Sequence, residues 1–254
     1  MGILDADSLY LQQIALSGTI PRDDYVGRLP VVRSLRETGG FTFTRPVTVF
    51  VGENGVGKST LIEAIAILMG FNPEGGTINF NFSTKDSHSN LANYLRVLKG
   101  ARRRKDGFFL RAESFYNVAS NIDDMDADGG GGRSIIDSYG GVSLHRQSHG
   151  ESFLALVENR FGGNGIYILD EPEAALSPMR TLRLMANMQR LVDCRSQFVI
   201  STHSPMLMAF PGAEVVEITE DGMTPVDYRD TEHYQVMLSF LENPDKMLGY
   251  LLDD

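Results

Sequence analysis

The sequence holds a single cysteine in 254 residues. No intramolecular disulfide can form, and Cys194, between Asp193 and Arg195, has no catalytic partner beside it. We read it as structural or incidental, and a reducing cytoplasm is the expected setting. Long apolar runs are missing too. None approaches the roughly 20 residues that span a bilayer, and the longest uncharged stretch, QFVISTHSPMLMAFPGA, is broken by His203, Pro205 and Pro211. No membrane insertion is expected. The opening MGILDADS has no basic region ahead of an apolar one and no Ser or Thr where myristoylation requires it, so it reads as neither a secretory signal nor a lipidation site. Basic residues are in deficit: 23 Lys and Arg against 33 Asp and Glu give a net charge of −10. That balance argues against non-specific nucleic-acid binding over the whole surface and leaves room for a local patch. There are no heptads and no internal repeats, which excludes long coiled coils and solenoids.

What the chain does contain is an alternation of strands and helices. PVTVFV (46–51) is a continuous β-branched run, the mark of a strand buried on both faces. It runs into GENGVGKST and then into LIEAIAILMGF, a buried helix closed by Gly70. FFL (108–110), IYILD and QFVIS read as further buried strands, and SHGESFLALVENRFGG and PMRTLRLMANMQRLVD as helices. The last quarter, AEVVEIT, GMTPVDY and DTEHYQVMLSFLENP, reads as two strands and a helix. Near the N-terminus LYLQQIALSG, LPVVRSL and GGFTFT read as short strands. TINFNF reads as another, and SNLANYLRVLKG as a helix capped by Ser89 or Asn90. DDMDADGGGG, with four Asp and four consecutive Gly, is expected to be a mobile loop. Strands alternating with helices imply a largely parallel sheet, and ligands of such sheets sit beyond the C-terminal strand ends.

Three strands end in polar residues suited to one task. Gly52-Glu53-Asn54-Gly55-Val56-Gly57-Lys58-Ser59, followed by Thr60, matches the phosphate-loop pattern G-x-x-x-x-G-K-[ST]. Its glycines permit backbone angles that turn successive N–H groups toward phosphate oxygens, and the following helix adds partial positive charge there. Lys58 is expected to reach the β- and γ-phosphates, and the Ser59 hydroxyl to ligate Mg²⁺. Asp170, ending IYILD, is the second candidate magnesium ligand, and Glu171 the group that polarises an attacking water. His203, in STHSP, is the expected γ-phosphate sensor. ARRRK (101–105) is the densest basic run, either a solvated loop or a contact to a phosphate backbone or an acidic partner. His88, His145 and Asp137 show no metal-ligand spacing.

The ordered set GENGVGKST, SHGES, ILDEPEAALS and STHS resembles the ATP-binding cassette (ABC) ATPase superfamily. Within it the pattern is closest to the soluble SMC and double-strand-break-repair branch and to small stand-alone predicted ATPases of bacteria. The resemblance runs from roughly residue 28 to 220. It implies an α/β P-loop NTPase of ABC type, with a mainly parallel central sheet flanked by helices, an antiparallel N-terminal β sub-domain and a small helical or irregular insertion. Residues 1–254 are expected to form one ATPase domain, with approximately 72–150 as the insertion that carries the signature loop at its end.

By the same resemblance Ser148, His149, Gly150 and Glu151 form that signature loop, which in the family closes over the γ-phosphate held by a second subunit. His149 replaces a usual glycine and Gln147 a usual leucine. Ala175 and Ser177 fall in the D-loop, with Ser177 where Asp is usual. The Q-loop glutamine is absent, and Arg111 or Glu113 is its candidate substitute. Tyr25, Phe41 and Phe43 are candidates for stacking adenine. The implied protein is a Mg-ATP-dependent ATPase acting as a head-to-tail homodimer. The competing reading is a slow nucleotide-gated switch, DNA-linked or transporter-linked, acting on an unknown protein partner.

Overall fold

The computed structural model describes residues 2–21, 23–78, 89–112, 115 and 148–252. Two sheets organise the described residues. The first is antiparallel, in the order β2-β1-β4, built from β1 (Leu11–Leu16), β2 (Phe41–Thr42) and β4 (Leu95–Lys99). The second has six strands in the order β5-β6-β7-β3-β8-β9: β3 (Val47–Val51), β5 (Asp106–Arg111), β6 (Gly165–Asp170), β7 (Gln197–Ser201), β8 (Glu214–Thr219) and β9 (Gly222–Val226). All its pairings are parallel except β8–β9, the hairpin that closes one edge.

Every residue of β3, β6 and β7 is buried, so both faces of this sheet are covered, as their unbroken apolar runs require. Successive side chains point to opposite faces. Val47, Val49 and Val51 join Tyr167, Leu169 and Ile200 on one face, against α3 (His149–Arg160) and α4 (Pro178–Asp193). Phe50 joins Ile166, Ile168 and Val199 on the other, against α2 (Lys58–Leu68) and the small sheet.

Two expected elements differ from the observed ones. LPVVRSL is not a strand but part of α1 (Pro30–Thr38). Pro30 opens the helix, where its missing N–H costs nothing, and Gly39 at φ 77° ends it. Val31, Val32 and Leu35 form its buried face. SNLANYLRVLKG is not a helix: Ser89 does act as a cap, but for one 3₁₀ turn, Asn90–Tyr94, that leads into β4. Pairing with β1, distant in sequence, outweighs the helical spacing of its leucines.

The described part of 72–150 divides between the sheets, giving β4 to one and β5 to the other. The expected strand TINFNF lies mostly outside the described residues. The expected loop DDMDADGGGG lies wholly outside them, as do His88, Glu113, Asp137, His145, Gln147 and the side chain of His149.

The C-terminal helices α6 (Glu232–Glu242) and α7 (Pro244–Leu252) follow α5 (Pro205–Met208) and carry no buried residues. Among the described residues no helix is long and apolar enough to cross a membrane.

Candidate functional site

The order β6-β7-β3 makes three strands neighbours although they lie far apart in the chain, and their C-terminal ends deliver Asp170, Ser201 and Gly52 side by side. Past Gly52 the backbone needs positive φ at three glycines: 139° at Gly52, 87° at Gly55 and 103° at Gly57. Gly52 is doubly constrained, since a Cβ there would stand 2.1 Å from the Ile218 carbonyl oxygen of β8. Lys58 opens α2 and is buried. Its Nζ donates to the carbonyls of Gly52 (2.7 Å) and Glu53 (2.9 Å), so the ammonium spans its own loop. Burial pulls the Lys58 pKa below its usual value, and the carboxylates of Glu171, Asp170, Glu53 and Glu173 oppose that shift. Val56 is a core residue whose carbonyl accepts from Val31 N–H, so its side chain serves packing.

Asp170 is buried at the end of β6, where its carboxylate accepts the Ser201 hydroxyl hydrogen. Glu171 has φ 49° and ψ 51°, left-handed values unusual for a residue with a Cβ. Its N–H still donates to Ser201 (3.1 Å), so the strand pairing persists until the backbone turns. The turn brings Glu171 Oε1 within 3.7 Å of His203 Nε2. The His203 N–H donates to the Glu173 carboxylate at 2.6 Å, tying the two loops together. His203 is held below its ordinary pKa by burial, with the charge of Lys58 adding to the effect.

Arg111, at the end of β5, carries its guanidinium between two buried carboxylates, 2.6 Å from Glu63 and 3.4 Å from Asp170. Glu63, on α2, also accepts from the Ser89 N–H at 2.9 Å. A cavity of about 290 Å³ opens here, lined by Ser59, Arg111, Asp170, Glu171, Ala174 and Ala175.

Mg²⁺ takes hard oxygen donors and keeps several waters. The Ser59 hydroxyl and the Asp170 carboxylate share this cavity, and such a donor set fits the ion. Among the described residues no cluster of three or more His, Cys, Asp or Glu stands ready to chelate a metal unaided.

Residues 31–128 match a family model described as an AAA domain. No curated protein matches the chain. Among solved structures, an ATP-binding cassette of an ABC transporter aligns with a TM-score of 0.50 at 12% identity, over 96% of this chain and 99% of its own. A nucleotide-free ATP-binding cassette from an ABC transporter gives 0.50 at 13% identity, over 92% and 97%. At such identity the likeness is one of fold. The fold is the one these two ATP-binding cassettes share.

Within that fold SHGES opens α3. The Ser148 hydroxyl (2.7 Å) and N–H (3.0 Å) both donate to the Glu151 carboxylate. Those hydrogen bonds hold Glu151 below the usual carboxylate pKa range, and Arg180 adds an ion pair at 3.1 Å. Gly150 has a reason within the chain to be glycine, since a Cβ would meet Arg180 Nη1 at 2.6 Å and the Ala175 carbonyl at 2.8 Å. The N-terminus of α3 thus leans on the segment before α4, whose Ala175 lines the cavity on its other side. Ser177 is the N-cap position of α4.

Phe43 is buried and meets Phe41 edge-on at 5.0 Å, so both rings are committed to the core, whereas Tyr25 is 57% exposed. ARRRK is not uniformly solvated: Arg104 lies over the Phe71 ring and donates to the Met69 carbonyl at the end of α2.

Sequence reasoning missed four participants. Ser201 and Glu173 sit within the quoted motifs, where a polar residue at a strand end is the available signal. Glu63 is hidden in an apolar helix. His233 lies thirty residues beyond His203, yet their rings touch.

Proposed function

We propose that this chain binds Mg-ATP at the ends of β3, β6 and β7 and hydrolyses it to ADP and phosphate within a head-to-tail pair of identical subunits. The observation that carries this reading is the convergence of Lys58, Asp170, Glu171 and His203 on neighbouring strand ends. Loop N–H groups and Lys58 would hold the β- and γ-phosphates, and Ser59 and Asp170 would hold Mg²⁺, which when bound offsets phosphate charge. Of the three aromatic candidates for adenine, Tyr25 is the exposed one. Glu171 would polarise a water whose oxygen bonds to the γ-phosphorus as the bond to the β-bridging oxygen breaks. The water's proton leaves toward the carboxylate or the product phosphate, and ADP departs. His203 would hold the γ-phosphate in register with that water. The charge dispersed in this loose transition state is met mainly by positioning and electrostatics.

Residues Ser148–Glu151 of the second copy would complete each site, and by two-fold symmetry both sites form together. The α3 N-terminus suits this role because the first N–H groups of a helix lack intrahelical acceptors and can serve an anion. Glu171→Gln is expected to bind ATP, stall hydrolysis and accumulate a dimer in light scattering. Unchanged turnover would remove Glu171 from the mechanism.

A second reading, the nucleotide-gated switch whose hydrolysis only resets it, draws support from Arg111. A guanidinium between Glu63 and Asp170 already neutralises the carboxylate that a magnesium ion needs. Nucleotide entry must displace it, and such a step suits a slow cycle. Turnover of the isolated protein, measured with and without DNA or a captured partner, separates the readings. The setting expected is the cytoplasm.

A further inference from the structure

His203 reaches toward Glu171 with one ring nitrogen and toward α6 with the other. Its Nδ1 lies 2.8 Å from His233 Nε2, and the ring centroids are 5.0 Å apart. His233 occupies the first turn of α6, the best-anchored part of that helix. Thr231, the N-cap, is fully buried, accepts from the Tyr234 N–H and donates its hydroxyl hydrogen to the Tyr228 carbonyl at 2.7 Å. The His233 ring is thus delivered from a fixed start, although the rest of α6 lies on the surface.

Two imidazole nitrogens at that distance share one hydrogen, and its origin decides what His203 can do. If His203 donated it from Nδ1, a neutral His203 ring would present a bare lone pair at Nε2. If His233 donates it from Nε2, His203 accepts at Nδ1 and carries its own proton on Nε2. His203 Nε2 is 3.7 Å from Glu171 Oε1 and has no hydrogen-bond partner of its own, nor has His233 Nδ1. The groups around the pair are Lys58, Glu53, Glu171 and Glu173 from the loops after β3 and β6, and Glu232 from α6. A lone pair aimed at Glu171 would be repelled, and an N–H aimed there is attracted.

We propose that His233 is a positioning residue: it donates its Nε2 hydrogen to His203 Nδ1 and so holds His203 with a proton on Nε2, facing Glu171 and a phosphate bound beside Lys58. This rests on the ATPase reading for its consequence, but not for its geometry. A ring locked in this tautomer can donate to a phosphate oxygen, and a ring free to exchange tautomers cannot do so reliably.

The experiment is a histidine ¹⁵N–¹H correlation on the nucleotide-free wild type, above the pH at which either ring is protonated, with the same measurement on His233→Gln and His233→Leu. The wild type should show His203 protonated on Nε2. The glutamine variant, whose side-chain amide can donate in the same direction, should keep that tautomer, and the leucine variant should show a mixture. For ATP turnover, His233→Leu should lower kcat by about tenfold with KM changed by less than about twofold, and His233→Gln should recover most of the loss.

Wild-type His203 protonated on Nδ1 would overturn the proposal, as would a leucine variant with unchanged tautomer and unchanged kcat. A protein that hydrolyses no ATP yet shows the expected tautomers would sink the ATPase reading and leave the His203–His233 assignment standing. Should the leucine variant not fold, the wild-type and glutamine spectra decide the matter.

Discussion

Replacing Arg111 with methionine keeps most of the side chain's length and removes its charge from between Glu63 and Asp170. Both carboxylates are buried, with side chains 7% and 6% exposed, and the Arg111 side chain is 20% exposed. Stripping a buried ion pair of one partner costs about 3–5 kcal/mol because the remaining charge stays out of water. Here the cost falls at the lower end, since Glu63 keeps the Ser89 N–H and Asp170 keeps the Ser201 hydroxyl. A loss of about 3 kcal/mol with a urea slope of about 3 kcal/mol/M moves the unfolding midpoint down by roughly 1 M. The assay is urea denaturation followed by circular dichroism, with and without millimolar Mg²⁺ and ADP. Ligands that bind only the folded state should return more stability to the variant than to wild type, because Asp170 no longer has a competing cation. A midpoint shift below about 0.2 M, or equal stabilisation of both proteins by the ligands, would refute the placement of Arg111 as the resting counter-ion of this site.

Other perturbations test other parts of the structure. Gly52→Ala forces a Cβ toward the Ile218 carbonyl at 2.1 Å and is expected to yield little folded protein, whereas Gly55→Ala meets nothing within 4 Å. The latter change should cost only about 1 kcal/mol for its positive φ, as thermal melts would show. Folded His203 binds its proton less tightly than an unfolded histidine does, so acidification favours the unfolded chain. Its contribution is complete above about pH 6.5 and is lost as the pH falls toward the lowered value, so His203→Gln should flatten the pH dependence of the melting temperature there. Ser148→Arg should leave nucleotide binding to a monomer intact while abolishing ATP-driven dimerisation in light scattering. Dimers formed as readily as in wild type would remove this loop from the seam.

The parts of the molecule readable in advance are those whose cause is local. PVTVFV declares a doubly buried strand by its composition, and GENGVGKST declares its turn by glycine positions that the observed positive φ values at Gly52, Gly55 and Gly57 require. The strand-end placement of Asp170, Glu171 and His203 was legible, since Asp170 closes β6, Glu171 follows it and His203 lies two residues past β7. The small sheet was harder: β4 is a strand because β1 lies beside it, and nothing within SNLANYLRVLKG reports that neighbour. LPVVRSL was misread because a short apolar run suits either element until Pro30 and Gly39 are weighed as its ends. Arg111 stood out as a candidate, but the carboxylate that holds it, Glu63, faces inward from an apolar helix, and helical spacing does not distinguish it from a solvated glutamate. His233 could not be found from sequence at all, since only the return of the chain past α5 brings it to His203.

The position of β3 between β7 and β8 has a consequence for how the protein is made. Val49 is flanked by Ile200 on one side and Val215 on the other, so β3 leaves the ribosome long before either neighbour exists. Until then this apolar strand has two open edges, the condition under which nascent chains self-associate, and pairing over so long a stretch is slow. A polypeptide halted before Gln197 would therefore not be a weak nucleotide binder but an aggregating one, and chaperone demand should peak in that interval of synthesis.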